Sequence, residues 1–378
     1  MPIDLPIIVL THEFAPTKGG IATFTEEMAR AGGDLGRQIE VWAPNSRHPH
    51  DDSHFPFKVR RIPLKGSQDI ACQYQMARAC SQERERFSQS IIYLTDPGPV
   101  LAWRPLVTGK LIQPRKLALT LHGSEINTFS ANPLTRLSVQ PVLKAANSIS
   151  VPSRFSRELL IQKFPFAEEK IVITHGALRT EFPKPYPSKN ENGGRVRILT
   201  VGRLHPRKGQ DRLIRALGLI PKELKSGIEL GIVGSGNKFG FGDRLRALAE
   251  NADFKVEFHG DISNDQLQGL YAQSDLFAMT SAPYRNSIEG FGLVYLEAAA
   301  HGLPIIANRL GGVEDAVSNG ENGILVAPDD EPALATALAQ LIENKSLREK
   351  MGAKSIEWTR SFSWKGSFRT LFESEHMR

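Results

Sequence analysis

The sequence predicts an α/β protein of two doubly wound, parallel-sheet halves facing one another across a cleft, and three observations carry that expectation. Short apolar runs alternate with helical patterns along almost the whole chain. The alternation stops once, in a polar stretch rich in proline and glycine, and then begins again. Finally, 378 residues exceed what one core usually holds, since single cores rarely grow beyond about 250–300 residues.

In chain order, Ile7–Leu10, Ile39–Val41, Val59–Ile62, Ile91–Leu94, Leu117–Leu121, Ser148–Val151 and Ile171–Ile173 read as buried strands of the first half. A helix opens at Gly19-Gly20 and runs to about Leu35. The pause spans residues 183–194, where Pro183, Pro185 and Pro187 are followed by Gly193 and Gly194. Strands then resume at Val196–Val201, Ile228–Val233, Val256–Phe258, Leu276–Met279, Pro304–Ala307 and Gly323–Val326. The final helix is expected over Glu331–Glu343, with a turn at Met351–Gly352. The domains expected are residues 1–182, a linker 183–194, residues 195–357, and a closing segment 358–378. In open α/β sheets ligands sit beyond the carboxyl ends of the strands, so a cleft between the halves is the expected site.

Composition narrows the class. Charged residues at 23% and hydrophobic ones at 40% describe a globular, soluble chain. Cys72 and Cys80 form no C-x-x-C pair, and Ile7–Leu10 is too short for a secretory core, so a reducing cytoplasm fits. No apolar run approaches the ~20 residues of a membrane helix, leaving only peripheral membrane contact. The net charge of +6 is uneven: residues 1–190 hold 24 Lys and Arg against 17 Asp and Glu, residues 191–378 hold 23 against 24. A basic first half attracts anionic lipid, nucleic acid or acidic glycans. Nucleic acid is set aside because no recognition-helix, zinc-finger or ribonucleoprotein-type aromatic pattern accompanies the charge. An acceptor at the inner membrane face remains, beside an ordinary solvated surface.

The stretch from Ser287 to Val317 is a glycine-broken loop, an apolar helix, a buried strand and a second glycine turn. Glu289 lies in its loop and Glu297 inside the apolar helix. A buried charge costs several kcal/mol unless paired, so Glu297 needs a cation, donors or a ligand's hydroxyls. Gly290, Phe291, Gly292 and Leu293 lead into the helix, whose open N–H groups suit an anion. After the first strand of the second half, Arg203 and Lys208 flank a proline-bearing turn and can meet at one point. Two such cations match a diphosphate leaving group. Arg207, between them, reads as part of a solvated loop.

Gly19 and Gly20 open a helix just after the first strand, an arrangement that serves either as a plain turn or as an anion cradle. His122 ends a strand and is followed by glycine, which places it in the cleft; Glu125 nearby serves as a site residue or a helix cap. Gly234-Ser235-Gly236 is not a dinucleotide fingerprint, because Phe239 stands where the third glycine would fall. His48, His50, Asp51, Asp52 and His54 cluster without metal-ligand spacing, and no D-x-D occurs.

Taken together, these motifs resemble the GT-B-fold retaining glycosyltransferases of family four: the E-x7-E pair Glu289 and Glu297, G-R-x4-K-G at 202–209, T-x-H-G-x-E at 120–125, the Gly-Gly loop, and L-x-x-L-Y-x-x-S-D-L-F-A-M at 267–279. The resemblance is especially to the bacterial mannosyltransferases that act on phosphatidylinositol mannosides, through R-K-G-Q-D at 207–211 and E-G-F-G-L-V-Y-L-E-A at 289–298. It implies that Glu289 and His122 lie beside the donor sugar and that Glu297 grips the nucleotide ribose. It places Gly19 and Gly20 near the donor diphosphate and the acceptor, Arg203 and Lys208 on the diphosphate, and Gly234 and Gly236 beside the nucleotide. Gly260 would help hold the base through backbone groups. The closing segment would cross back onto the first domain. Two departures stand out. His175-Gly176-Ala177-Leu178 replaces the usual N-G-V-D, and Ser281–Ile288 is long, adding Tyr284 and Arg285 beside the sugar.

The expected function is transfer of a hexose from a GDP- or UDP-sugar to a lipid-linked, glycan or small-molecule hydroxyl, with retention, no metal and no further cofactor. In the family the leaving phosphate itself takes the acceptor's proton. The alternatives are a nucleotide-sugar epimerase and a non-catalytic sugar-nucleotide-binding protein.

Overall fold

The computed structural model describes residues 5–46, 51–66, 68–180, 182 and 194–377. The expected linker falls almost wholly outside them, as do His48 and His50. The chain divides into an N-terminal unit of residues 1–180 with 363–378, and a C-terminal unit of residues 181–362.

The N-terminal unit is a seven-stranded parallel sheet. Its strands are β1 (Ile7–Leu10), β2 (Ile39–Pro44), β3 (Lys58–Ile62), β4 (Ile91–Leu94), β5 (Lys116–Thr120), β6 (Ser148–Val151) and β7 (Ile171–Ile173). They lie in the order β3-β2-β1-β4-β5-β6-β7. Its helices are α1 (Gly20–Asp34), α2 (Ile70–Gln82), α3 (Arg84–Ser88), α4 (Pro97–Thr108), α5 (Ser124–Ser130), α6 (Pro133–Ala145) and α7 (Arg154–Lys163). β1 and β4 are buried along their whole length, which is why they read as continuous apolar runs and not as alternation; β6 is equally buried but alternates serine with Ile149 and Val151. Short polar side chains start the helices: Asp69, Asp96, Asn132 and Ser153 each accept a backbone N–H of the first turn.

The C-terminal unit repeats the plan with β8 (Val196–Val201), β9 (Ile228–Val233), β10 (Lys255–Gly260), β11 (Leu276–Met279), β12 (Ile305–Asn308) and β13 (Gly323–Val326), ordered β10-β9-β8-β11-β12-β13. Helices α8 (Gln210–Leu219), α9 (Lys222–Lys225), α10 (Phe241–Glu250), α11 (Asn264–Gln273), α12 (Leu293–Ala300), α13 (Val313–Ala316), α14 (Glu331–Glu343) and α15 (Lys345–Thr359) accompany them. In both sheets the strand order reverses at one place, between β1 and β4 and between β8 and β11. Those switch points leave a crevice at the strands' carboxyl ends.

One sequence expectation fails. Met351–Gly352 is not a turn; it lies inside α15, and Glu331–Glu343 is not the final helix. Gly352 is there because α15 crosses the Gly302 turn closely: a Cβ would stand 2.1 Å from the Gly302 carbonyl oxygen. The chain then leaves the C-terminal unit. Trp358 still donates to the Ala316 carbonyl at 2.9 Å, whereas α16 (Trp364–Phe372) packs on α1. Trp364 donates to the Leu178 carbonyl at 2.8 Å and Ser367 to that of His175 at 2.6 Å, so residues 175–178, the departure from N-G-V-D, anchor α16.

Candidate functional site

In the C-terminal unit the chemistry gathers at the β8/β11 switch point. Leaving β8, the chain makes a single 3-10 turn at Pro206–Lys208, and His205 Nδ1 accepts the Arg207 N–H at 3.1 Å. That turn is tied to the segment after β11, since Ala282 N–H donates to the Arg207 carbonyl at 2.8 Å and Thr280 Oγ1 to the Gly209 carbonyl at 2.6 Å.

The consequence is a buried charge cluster. Glu289 is 7% exposed, and its Oε2 receives Arg207 at 2.7 Å, Lys208 at 2.8 Å and the Ser281 hydroxyl at 3.3 Å. Its Oε1 meets no partner among the described residues. Burial opposes ionisation of Glu289, but Lys208 and Arg207 outweigh it and hold the carboxyl at about 2. Burial also lowers the pKa of the Lys208 ammonium, with Glu289 acting against it. Arg207 is therefore not a solvated loop residue, because its side chain is nearly as enclosed as that of Glu289. Arg203 is exposed and has no ion-pair partner among the described residues.

The backbone of Glu289 is clasped from behind by the second glycine turn. Gly312 N–H donates to its carbonyl at 2.8 Å. Gly311 has φ +62°, and a Cβ there would stand 2.3 Å from the same oxygen, so only glycine fits. Beyond Glu289, Gly290 leads to Phe291, whose ring is buried against Phe362 at 5.7 Å. Phe291 thus contributes its backbone to the loop and its side chain to the core. Gly292 caps α12 and Leu293 begins it; no side chain caps this helix, which leaves its first N–H groups open. One turn on, Glu297 is buried and accepts the Tyr271 hydroxyl at 3.1 Å. Tyr271 stacks on His301, centroids 5.5 Å apart, and the pKa of this buried histidine is lowered by burial to about 4.

Gly234 serves a different purpose from the one expected. A Cβ there would stand 2.1 Å from the Gly202 oxygen, and its own N–H donates to the Gly260 carbonyl at 2.8 Å. It lets the turns after β8, β9 and β10 abut, and its donor is not free for a ligand. Gly236 lies in the same packed turn, while a side chain at Gly260 would meet nothing within 4 Å. Tyr284 stands edge-on to His205 at 5.0 Å, and Arg285 lies over the rings of Tyr284 and Phe239. Burial lowers the pKa of His205, and Arg207, Arg203, Lys238 and Lys208 each lower it further.

The N-terminal unit assembles a counterpart at its own switch point, where the buried Asp96 accepts the Thr11 hydroxyl and the His12 N–H. His122, at the end of β5, uses Nε2 to donate to the Thr95 carbonyl at 2.8 Å, which leaves Nδ1 as its open nitrogen. Its ring stands edge-on to Phe24 of α1, and Phe24 in turn to Trp364 of α16. Glu125 is buried and accepts the His122 N–H, a local cap. Burial raises its pKa, Asp96 adds to the rise, and His122 and nearby N–H groups oppose it. Gly19 and Gly20 are exposed at the start of α1; a side chain at Gly20 would enter open space, so the fold itself does not demand glycine there. Of the histidine-aspartate cluster, Asp52 is forked by Arg61, and no metal-binding group of three occurs among the described residues.

Arg207, Ser281, Tyr271 and Gly311 were given no site role from sequence. Arg207 carried a signal in its place inside the same turn as Arg203 and Lys208, Tyr271 in the pattern at 267–279 and Gly311 in the second glycine turn.

Two parallel-sheet units with this cluster define a GT-B glycosyltransferase. The description Glycosyltransferase Family 4 matches residues 18–182, and Glycosyl transferases group 1 matches residues 183–358. The chain belongs to this family. It is 27% identical to the GDP-mannose-dependent alpha-(1-6)-phosphatidylinositol monomannoside mannosyltransferase of Mycobacterium tuberculosis, over 95% of this chain and 94% of that one. It is 35% identical to the D-inositol 3-phosphate glycosyltransferase of Corynebacterium glutamicum, over 44% of this chain and 40% of that one. In fold it is similar to Anabaena HepE, crystallised with UDP and glucose, at TM-score 0.77 and 20% identity with 98% of each chain covered. Sucrose-phosphate synthase from Thermosynechococcus elongatus gives TM-score 0.79 and 19% identity, again over 98% of each chain.

Proposed function

We propose that this glycosyltransferase moves a hexose, with retention and without metal, from a nucleoside-diphosphate sugar to a hydroxyl on a lipid-linked or glycan acceptor at an anionic membrane surface on the cytoplasmic side. GDP-mannose is the donor we favour, because the relative matched over nearly its whole length is named for it. The observation that carries the reading is the state of Glu289. One oxygen is saturated by Arg207, Lys208 and Ser281, and the other is open beside the uncapped start of α12.

A carboxylate held at about 2 is a poor general base near neutral pH, and one clamped by two cations is a poor nucleophile. Its open oxygen is suited to receive a sugar hydroxyl. Proton removal from the acceptor then falls to the departing phosphate, whose charge Lys208 and the exposed Arg203 meet. The N–H groups of Gly290–Leu293 receive phosphate or sugar oxygens, and Glu297, steadied by Tyr271, accepts the ribose hydroxyls. In the N-terminal unit, His122 is held by the Thr95 carbonyl with Nδ1 as its open acceptor, a group suited to a sugar hydroxyl.

The test is calorimetric binding of GDP, UDP and ADP, without metal, to the wild type and to Lys208→Ala and Glu297→Ala. One diphosphate should bind in the micromolar range, and each substitution should weaken it by about 1.5–3 kcal/mol. Binding unchanged by both substitutions would make these residues structural and remove the proposed site.

A further inference from the structure

His122 has one tied nitrogen and one open one, and what sets the plane of its ring lies outside its own strand end. Nε2 donates to the Thr95 carbonyl at 2.8 Å, and Thr95 is itself fixed, since its N–H and its hydroxyl both donate to the Leu10 carbonyl at 3.2 Å. A histidine ring turns about Cβ–Cγ in a broad well, so a single hydrogen bond leaves its plane, and with it the direction of Nδ1, loosely defined. Phe24 of α1 removes that freedom. Its centroid stands 5.2 Å from that of His122 with the ring planes at 87°, the edge-to-face arrangement that aromatic pairs prefer.

Phe24 is held in the same way. Trp364, the first residue of α16, meets it at 5.3 Å and 81°, and both side chains are buried. α16 in turn has little room to shift. Trp364 donates to the Leu178 carbonyl and Ser367 to that of His175. A Cβ at Gly32 of α1 would stand 2.5 Å from the Phe368 ring, so the two helices lie as close as glycine allows. At the far end of α16, Phe372 meets Tyr93 of β4 edge to face at 5.2 Å. All of these residues belong to the N-terminal unit. An aliphatic side chain at position 24 would fill much of the same space, but it would offer the imidazole no flat partner.

We propose that Phe24 and Trp364 are positioning residues for His122: Trp364 fixes Phe24, and Phe24 fixes the plane of the imidazole, so that Nδ1 is aimed in one direction. This rests on the reading above that His122 meets the donor sugar, and it adds the residues that aim it.

The test is NMR of the whole chain with 15N-labelled histidine at pH 8, the His122 ring signals being assigned by their loss in His122→Gln. Wild type should show one tautomer, with the proton on Nε2 exchanging slowly with water. Phe24→Leu should mix the two tautomers or broaden the signals away, and Trp364→Leu, one contact further off, should do the same to a smaller extent. Leu143→Ala, which truncates a buried side chain of α6 in the same unit, should lower the melting temperature and leave His122 as in wild type. If Phe24→Leu leaves the His122 signals unchanged, or Leu143→Ala disturbs them as much, ring contact does not set the imidazole and the inference falls. The sugar reading is tested separately, by adding GDP-mannose or UDP-glucose, whichever carries the diphosphate that binds. His122 should shift; if saturation leaves it unmoved while Phe24→Leu still mixes the tautomers, His122 does not meet the sugar and its positioning by Phe24 stands.

Discussion

Glu289 in the C-terminal unit and Glu125 in the N-terminal unit are almost equally buried, and each follows a strand end at or near its sheet's switch point. Their chemistry is nonetheless opposite. Two cations hold Glu289 ionised down to about 2, whereas burial, with the Asp96 carboxylate adding to it, lifts the pKa of Glu125. Burial fixes the cost of a charge, and the neighbours decide whether the charge stays. One unit has therefore built a cation–carboxylate cluster suited to a diphosphate, and the other a setting of buried carboxyl groups in which a histidine is oriented by a carbonyl and an aromatic edge.

The strongest way to break this contrast is Glu289→Gln. It removes the charge and leaves Lys208 and Arg207 buried against a neutral amide, which should cost about 3–5 kcal/mol. Urea denaturation followed through Trp358, the single tryptophan of the C-terminal unit, would report it. In the wild type the Glu289 contribution is present above the unfolded value near 4.5 and is lost as pH falls toward 2. A loss below about 1 kcal/mol in Glu289→Gln would mean the pair contributes little, and the charged-cluster description would fail.

His301 extends the comparison to a buried base. Neither ring nitrogen finds a partner among the described residues, and burial lowers its pKa from 6.5 to about 4. A depressed base favours the folded state when neutral. Its contribution is thus full above pH 6.5 and declines as pH falls toward 4, by up to about 3 kcal/mol. This window lies above that of Glu289, so the two acid limbs separate. His301→Leu should abolish the upper limb only; if stability between pH 6.5 and 4 is unchanged in that variant, the loss arises elsewhere.

Fold and site were legible to different depths. Strands such as β1 and β4 were readable because burial on both faces writes an unbroken apolar run. The α15 interior was not, because Gly352 looks like a helix stop in sequence and only the neighbouring Gly302 turn explains it. Glu289, Glu297 and Lys208 were found from their own surroundings in the chain. Their partners were not, since Ser281, Tyr271 and Gly311 reach the cluster through tertiary contacts that no local pattern encodes. Gly234 shows the same limit from the other side: its need for close turn packing against Gly202 was not readable from the sequence.

The smallest expected effect, and the one that separates the two carboxylates most cleanly, is Glu125→Gln. With a folded-state pKa above the unfolded one, the folded chain prefers Glu125 protonated. Its stability is full below pH 4.5 and is lost as pH rises through the raised value, where a charge must be kept in the interior. Glutamine preserves the shape and an oxygen for the His122 N–H, and removes that charge. Glu125→Gln should be neutral at pH 5 and neutral to about 1 kcal/mol stabilising at pH 8, the opposite sign to Glu289→Gln. Urea midpoints of the N-terminal unit at the two pH values decide it. A destabilised variant at pH 8 would show that the charge of Glu125 is itself held by donors, and the N-terminal site would have to be redrawn as a second charged one.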